Sequence, residues 1–263
     1  MAAARAVRLA AHADGFATLT LTRGERHNAL SDAVIGAVRA ELAAARRLAP
    51  RALFVRAEGK SFSAGADLEW MKRAAGYSRA ENTADALELS GMLNDLATLP
   101  MPTVALVQGQ ALGGGVGLVA ACDVAVGVRA AKFTLSEVKL GLIPATISPY
   151  VLRRIGAQHG RRYFLTAERF DAAEAQRIGL LHHVVEDEAA LDAFEKHLKE
   201  HFAVNGPAAM AASKELIAAV EGRAVSPEVM LDTAQRLAAQ RDTPECREGI
   251  AAFFDKRAPA YKL

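Results

Sequence analysis

Three glycines in a row, Gly113, Gly114 and Gly115, separate an apolar run at residues 102–107 from a small-residue stretch that ends at Asp123. The run reads as a buried strand and the stretch as a helix, which makes the glycines the turn between them. Backbone N–H groups at a helix start have no intrahelical partner, and the positive end of the helix dipole lies there. With no side chains on the turn, a ligand oxygen comes within hydrogen-bonding distance of those donors, an arrangement that stabilises an oxyanion. Glycine triplets also serve plain close packing of a helix on a strand, so the chemical reading rests on two further features. Glu137 lies in a largely apolar segment, flanked by Leu135, Val138 and Leu140. Desolvation there raises a carboxylate's pKa and suits it to act as a base near neutral pH. Residues 61–68 supply a second glycine turn, at Gly65, with a free N–H of its own. Two donors and one carboxylate suit a reaction in which a carbonyl becomes an enolate while a proton moves.

These segments, FSAGADL at 62–68, ALGGGVGLVAACD at 111–123 and FTLSEVKLGLIP at 133–144, resemble the enoyl-CoA hydratase/isomerase family, the crotonase superfamily. The resemblance covers nearly the whole chain, from LTLTR at 19–23 and NAL at 28–30 to FFDKR at 253–257. Within the family, ADLEWMK at 66–72, IPATISPYVLRRIG at 143–156 and RRYFLTAERFDAAEA at 161–175 are most similar to methylglutaconyl-CoA and isohexenylglutaconyl-CoA hydratases. It implies an α/β fold: a crotonase-like core of repeated ββα spiral turns over residues 1–190, holding the active site, and a C-terminal helical trimerisation subdomain over residues 191–263.

By the same resemblance, Ala66 and Gly114 supply the oxyanion-hole N–H groups and Glu137 is the catalytic carboxylate. The backbone around Ala64, Asp67 and Leu68 receives the adenine of coenzyme A, and Arg26, Lys256 and Lys262 are candidates for its phosphates. Coenzyme A is part of the substrate, so neither a cofactor nor a metal is implied. The expected partners are an acyl-CoA thioester and further copies of the chain, in a homotrimer or a dimer of trimers.

One position departs from the two-glutamate hydratases, which carry the first glutamate a turn after the oxyanion glycine. This chain has Gly117 there. The expectation is a space beside Gly117 in which a substrate carboxylate or a bicarbonate stands, and the family includes a naphthoate synthase branch in which such a glycine accompanies bound bicarbonate. Three readings follow. The first is a hydratase for a 3-methylglutaconyl-type acyl-CoA of leucine or isoprenoid catabolism. The second is an isomerase in which Glu137 alone moves a proton between C2 and C4. The third is a CoA-binding or RNA-binding protein without turnover, since one branch of methylglutaconyl-CoA hydratases binds RNA.

Composition narrows these. With 32 basic and 30 acidic residues the formal net charge is +2, and there is no basic run with interleaved aromatics, which argues against a nucleic-acid partner. A chain of 263 residues, 51% hydrophobic, is long enough to bury a full core. Cys122 and Cys246 stand far apart without metal-ligand spacing, as in a reducing cytoplasm. The N-terminal residues contain no apolar leader, and no stretch reaches the ~18 apolar residues of a membrane span, so a soluble, unexported protein is expected.

The elements that must position these groups are also readable. Residues 16–22 and 52–57 read as strands, joined by a helix capped by Ser31 or Asp32 with Val34, Ile35, Val38 and Leu42 on one face. That order implies a βαβ crossover. Residues 76–85 are polar and read as a loop beside the site, before a helix at 87–96. Helical periodicity covers 150–155, 161–165 and 172–178, followed by a short strand at 181–185. Its adjacent His182 and His183 point to opposite faces and read as structural rather than metal-binding. Residues 191–202, 208–220, 227–238 and 244–254 form an all-helical tail. Trp70, Met71 and residues 147–149 are read as shaping the acyl pocket, with Arg153 and Arg154 as candidate partners for a substrate carboxylate.

Overall fold

Val7–Ala11 (β1) and Ala17–Leu21 (β2) open the fold as an antiparallel hairpin, Val7 opposite Leu21, in a computed structural model that describes residues 6–263. Residues 1–5, the greater part of the N-terminal stretch read above as lacking an apolar leader, lie outside the described residues. β1 is absent from the strands expected above because Ala10 and Ala11 leave its VRLAA pattern with few of the large residues that mark a strand. Helix Asp32–Leu48 (α1) begins at Ser31, whose Oγ accepts from Val34 N–H, and buries Val34, Ile35, Val38, Leu42 and Ala45. It returns the chain to Leu53–Ala57 (β3), parallel to β2, which completes the predicted crossover.

From here the chain repeats one pattern: a strand in a large sheet, a short strand in a small sheet, then helix. β3 leads to Ser61–Ser63 (β4), Leu68–Ala74 (α2) and Arg79–Ala97 (α3). Thr103–Val107 (β5), Gln110–Leu112 (β6) and Gly114–Ala121 (α4) form the next turn. Val124–Val128 (β7), Lys132–Thr134 (β8) and Ser148–Thr166 (α5) follow, with a 3₁₀ turn at Glu137–Leu140 before the helix. Phe170–Asp171 (β9), Ala172–Arg177 (α6) and His183–Val185 (β10) close the core. The large sheet runs β1-β2-β3-β5-β7-β10 and the small one β4-β6-β8-β9. β5 is buried along its whole length, and α4 is buried from Gly115 to Ala121, so the glycine turn sits at the centre of the core.

Residues 76–85 are not an extended loop. Ser78 and Glu81 form a reciprocal capping box that starts α3 at Arg79, and Trp70 Nε1–H donates to Asp85 Oδ1 at 2.9 Å, binding α2 to α3. The Ser-x-x-Glu signal is in the sequence, but the polar residues around it mask the helix. α5 carries a kink at Gly156, φ 69°, where the two predicted helical stretches meet.

Glu188–Val204 (α7) packs on β7 and β10 with Leu191 in the core, whereas Pro207–Val220 (α8), Pro227–Arg241 (α9) and Pro244–Phe254 (α10) contact one another. Lys214 on α8 reaches Asp123 at 2.6 Å, and the same carboxylate oxygen accepts from Thr103 at the start of β5. Arg51, just before β3, donates to the carbonyls of Phe202, Ala203, Asn205 and Tyr261. It thereby fastens the end of the chain to the edge of the sheet where β2 and β3 begin. No helix among the described residues is long and apolar enough to cross a membrane.

Candidate active site

The site forms at the opposite edge, where β3 and β5 end and the chain enters β4 and β6. Asn28, held at φ 52°, donates from its amide to the carbonyls of Glu58 and Ser61, and Ser63 Oγ–H donates to Asn28 O. Asparagine tolerates that left-handed backbone better than most residues. These bonds fix the turn after β4. Leu30 then pairs with Ala66 as an isolated parallel bridge, through Leu30 N–H to Gly65 O and Asp67 N–H to Leu30 O, a pairing that takes nothing from the Ala66 N–H. Gly65 is at φ 79°, and a β-carbon on it would stand 2.6 Å from Leu112 O and 3.5 Å from Gly114 N. The two glycine turns are therefore in contact.

Gly113 takes φ 47° and ψ −114°, a conformation for which glycine is suited, and donates to Thr134 O at 2.9 Å. Gly114 is the first residue of α4, so its N–H has no intrahelical acceptor. Among the described residues neither Ala66 N–H nor Gly114 N–H donates to another protein group. Ala66 is an exposed residue. A β-carbon on Gly115 would lie 2.6 Å from Ser63 O, and one on Gly114 would meet Leu30. Close packing and donor exposure are thus the same feature here, and the two readings of the triplet converge.

Glu137 begins its 3₁₀ turn beside this pair. Its Oε1 is 3.0 Å from where a β-carbon on Gly113 would be, while its Oε2 is buried with no hydrogen-bond partner among the described residues. Burial raises the pKa of this carboxyl above the ordinary glutamate value, as its apolar setting predicts. Leu135 contributes to that burial, but Leu140 points to solvent and does not. Ala66, Gly114 and Glu137 therefore lie on adjoining turns, two residues with unengaged N–H groups and one with a desolvated carboxylate.

The expected space at Gly117 is corrected. A β-carbon there would fall 2.4 Å from Ile147 Cγ2 and 3.0 Å from Ile147 Cβ, with Leu93 Cδ1 at 3.5 Å. The Ile147 side chain fills the position, and Gly117 offers no vacancy for a carboxylate or bicarbonate. Sequence order hid this because Ile147 enters from the start of α5, thirty residues on in the chain.

Asp67 is also corrected in part. Its N–H bonds Leu30 O, its carbonyl accepts from Met71 N–H, and its carboxylate caps α2 by accepting from Glu69 and Trp70 N–H. Its N–H and Oδ1 are thus engaged, while Oδ2 bonds no protein group among the described residues. Ala64, half-buried with its N–H on His27 O, and exposed Leu68 keep their places beside the site, and exposed Arg26 precedes His27 directly. Lys262 lies elsewhere: Leu263 N–H bonds Ala203 O and the Leu263 side chain reaches Gly15, at the strand-starting edge. Lys256 lies just beyond α10, at φ 54°, in the same C-terminal tail. Arg154 is engaged by the carbonyls of Ala120, Cys122 and Asp123 at the end of α4 and is not a free partner for a substrate anion, whereas Arg153 is exposed and stands 3.5 Å from Glu221. His182 Nδ1 accepts from Ala125 N–H, which makes it structural as expected, and His183 stacks on Phe194. The described residues contain no group of three or more His, Cys, Asp or Glu side chains placed to hold a metal.

Residues 11–263 match the enoyl-CoA hydratase/isomerase family. A crystal structure of an enoyl-CoA hydratase from Shewanella pealeana superposes with a TM-score of 0.93 at 40% identity, covering 97% of this chain and 95% of that one. Pseudomonas aeruginosa AtuE gives 0.92 at 36% identity over 98% of this chain and 100% of its own. Human mitochondrial methylglutaconyl-CoA hydratase is 36% identical over 218 residues, 81% of this chain and 63% of that protein, so the chain spans just under two thirds of it. The chain belongs to the enoyl-CoA hydratase/isomerase family: it has the crotonase fold and is an enzyme of that lyase family.

Proposed function

We propose that the enzyme adds water across the double bond of an α,β-unsaturated acyl-CoA of the 3-methylglutaconyl type. The observation that carries this reading is the desolvated Glu137 carboxylate, whose Oε2 has no hydrogen-bond partner among the described residues, beside two unengaged N–H donors. The thioester oxygen accepts from Ala66 and Gly114. Glu137 takes a proton from water, the water oxygen bonds to Cβ, and the electron pair of the double bond passes to the thioester oxygen. That oxyanion is stabilised by a few kcal/mol per donor, on the order of a hundredfold or more in rate. The protonated Glu137 then returns its proton to Cα and the carbonyl re-forms. One carboxylate in two protonation states completes the cycle, and both hydrogen and hydroxyl arrive on its side of the double bond.

The acyl group is proposed from the 36% identity to the human methylglutaconyl-CoA hydratase. The test is incubation of the purified protein with a panel of acyl-CoAs and identification of products by mass. The expected result is gain of one water, fastest on branched glutaconyl thioesters. A product of unchanged mass with a moved double bond would establish the isomerase reading instead. Binding with no product from any thioester would leave a non-catalytic CoA protein.

The same reading includes a homotrimer, or a dimer of trimers, in the cytoplasm. Phe253 and Phe254 on α10 are 78% and 76% exposed, and Ile217, Met230, Leu231, Leu237 and Ile250 on the same three helices are also uncovered. Such apolar surface marks an interface. The cytoplasm is inferred from two unpaired cysteines, Cys122 buried and Cys246 half-buried. Phe253→Asp combined with Phe254→Asp leaves the Arg51 anchor of the tail intact, and is expected to sediment as a monomer. Sedimentation as the parent assembly would remove these rings from the interface. If Lys256 or Lys262 completes a neighbouring subunit's site, the monomer also loses CoA affinity.

A further inference from the structure

We infer that Ile147 is a specificity-determining residue: its side chain stands where a second active-site carboxylate would project, confines proton transfer to Glu137, and selects an acyl group that is apolar on that side. The inference rests on the hydratase reading and adds what this particular wall admits. Gly114 and Gly117 are three apart on α4 and share a face. From that face a side chain at 117 would project directly into Ile147, 2.4 Å from Cγ2 and 3.0 Å from Cβ. Rotating Ile147 about χ1 moves Cγ2 but leaves Cβ in place, and β-branched side chains have few rotamers to choose from. The backbone of Ile147 is held as well. It caps α5, its carbonyl accepts from Tyr150 and Val151 N–H at 3.1 and 3.0 Å, and the residue is 2% exposed. Positions 117 and 147 therefore form a size-matched pair, with a side chain at one only when the other gives way.

The chemistry of the wall follows. Ile147 and Leu93 present hydrocarbon beside Gly117, and a charged or hydroxylated group of the substrate placed against them would lose its hydration without compensation. A methyl branch on Cβ of the acyl group loses nothing there. The distal carboxylate of a glutaconyl-type substrate must then lie away from Gly117, the reverse of the placement suggested by sequence alone. A two-carboxylate hydratase can divide water activation and proton return between its groups, but this wall assigns both to Glu137.

Four variants test this: Gly117→Glu, Ile147→Ala, the two combined, and Gly117→Gln combined with Ile147→Ala. Each is measured for Tm and for kcat and KM on crotonyl-CoA and on a β-methyl-branched enoyl-CoA. Gly117→Glu alone is expected to lower both Tm and turnover of either substrate. Ile147→Ala alone should raise KM for the branched substrate more than for crotonyl-CoA. Combining Gly117→Glu with Ile147→Ala should recover Tm relative to Gly117→Glu and raise kcat on crotonyl-CoA at least tenfold over Ile147→Ala alone. The glutamine partner, of equal shape but unable to carry charge, should show the Tm recovery without the kcat gain. A Gly117→Glu protein with wild-type Tm and turnover would overturn the exclusion, and a glutamine variant that gains as much as the glutamate variant would overturn the catalytic consequence. A wild type that hydrates neither thioester overturns the hydratase reading itself, and the Tm comparison among the variants still decides whether Ile147 excludes a side chain at 117.

Discussion

Glu137→Gln is expected to lower kcat by ~10²–10⁴-fold, the usual contribution of a general base, while CoA-thioester affinity changes little. The amide keeps the shape of the carboxylate but accepts no proton from water, and a single-base cycle has no second carboxylate to cover the loss. The pH dependence has a fixed direction. The base must be ionised, and burial raises its pKa, so wild-type kcat/KM should fall as pH drops through a value above the ordinary carboxylate range. The stability dependence runs the other way. Between the unfolded-state pKa and the raised folded-state pKa the native protein holds the extra proton, so stability from this group declines as pH rises through that window. Above it the fold carries a desolvated charge whose Oε2 has no hydrogen-bond partner among the described residues. Glu137→Gln should therefore melt above wild type at pH 8 and lose that advantage at pH 4. Thermal melts at the two pH values, with turnover beside them, check both halves. A variant retaining most of the wild-type rate would take Glu137 out of the mechanism, and equal melting shifts at both pH values would show that its charge is not desolvated in the native state.

The parts of this site that were legible in sequence are those specified locally. A glycine triplet between an apolar strand and a small-residue helix dictates a helix start with free donors, which the structure has, and Glu137 is desolvated as expected although Leu140, one of the apolar neighbours, faces solvent. What the sequence could not show were contacts across the chain. Gly117 looked like a missing side chain because its counterpart, Ile147, arrives on another helix. Asp67 looked available for coenzyme A because its motif is informative, yet its N–H is spent on Leu30 and its Oδ1 on the start of α2. Lys262 was made a candidate by resemblance, whereas within one chain Arg51 fastens the tail at the strand-starting edge. For Gly117 the deciding partner lies far along the chain, whereas for Asp67 only Leu30 does: its α2 cap, on Glu69 and Trp70, is local.

Gly65→Ala should nearly abolish turnover without touching any group that moves a proton. At φ 79° alanine carries backbone strain of ~1–3 kcal/mol. The new methyl would also stand 2.6 Å from Leu112 O. That oxygen belongs to the backbone of β6, directly before Gly113, and cannot yield unless the turn carrying Gly114 N–H moves with it. The Ala66 N–H shifts from the other side, since Ala66 follows Gly65 in the chain. Misplacing an oxyanion-hole donor costs roughly 10²–10³-fold in kcat, and here both donors are displaced together. KM should change less than kcat, because the donors bind the enolate oxyanion more strongly than the ground-state carbonyl. Gly36→Ala is the control: Gly36 is exposed on α1 with nothing within 4 Å of the added methyl, so it should gain roughly 0.5–1 kcal/mol of stability at unchanged kcat. Unfolding measured with urea separates strain from catalysis, since a Gly65→Ala protein still folded at the assay temperature has lost rate through geometry. A folded Gly65→Ala enzyme with wild-type kcat would show that the contact between the two glycine turns does not set the donor geometry, and Ala66 and Gly114 would lose their assignment as a working pair.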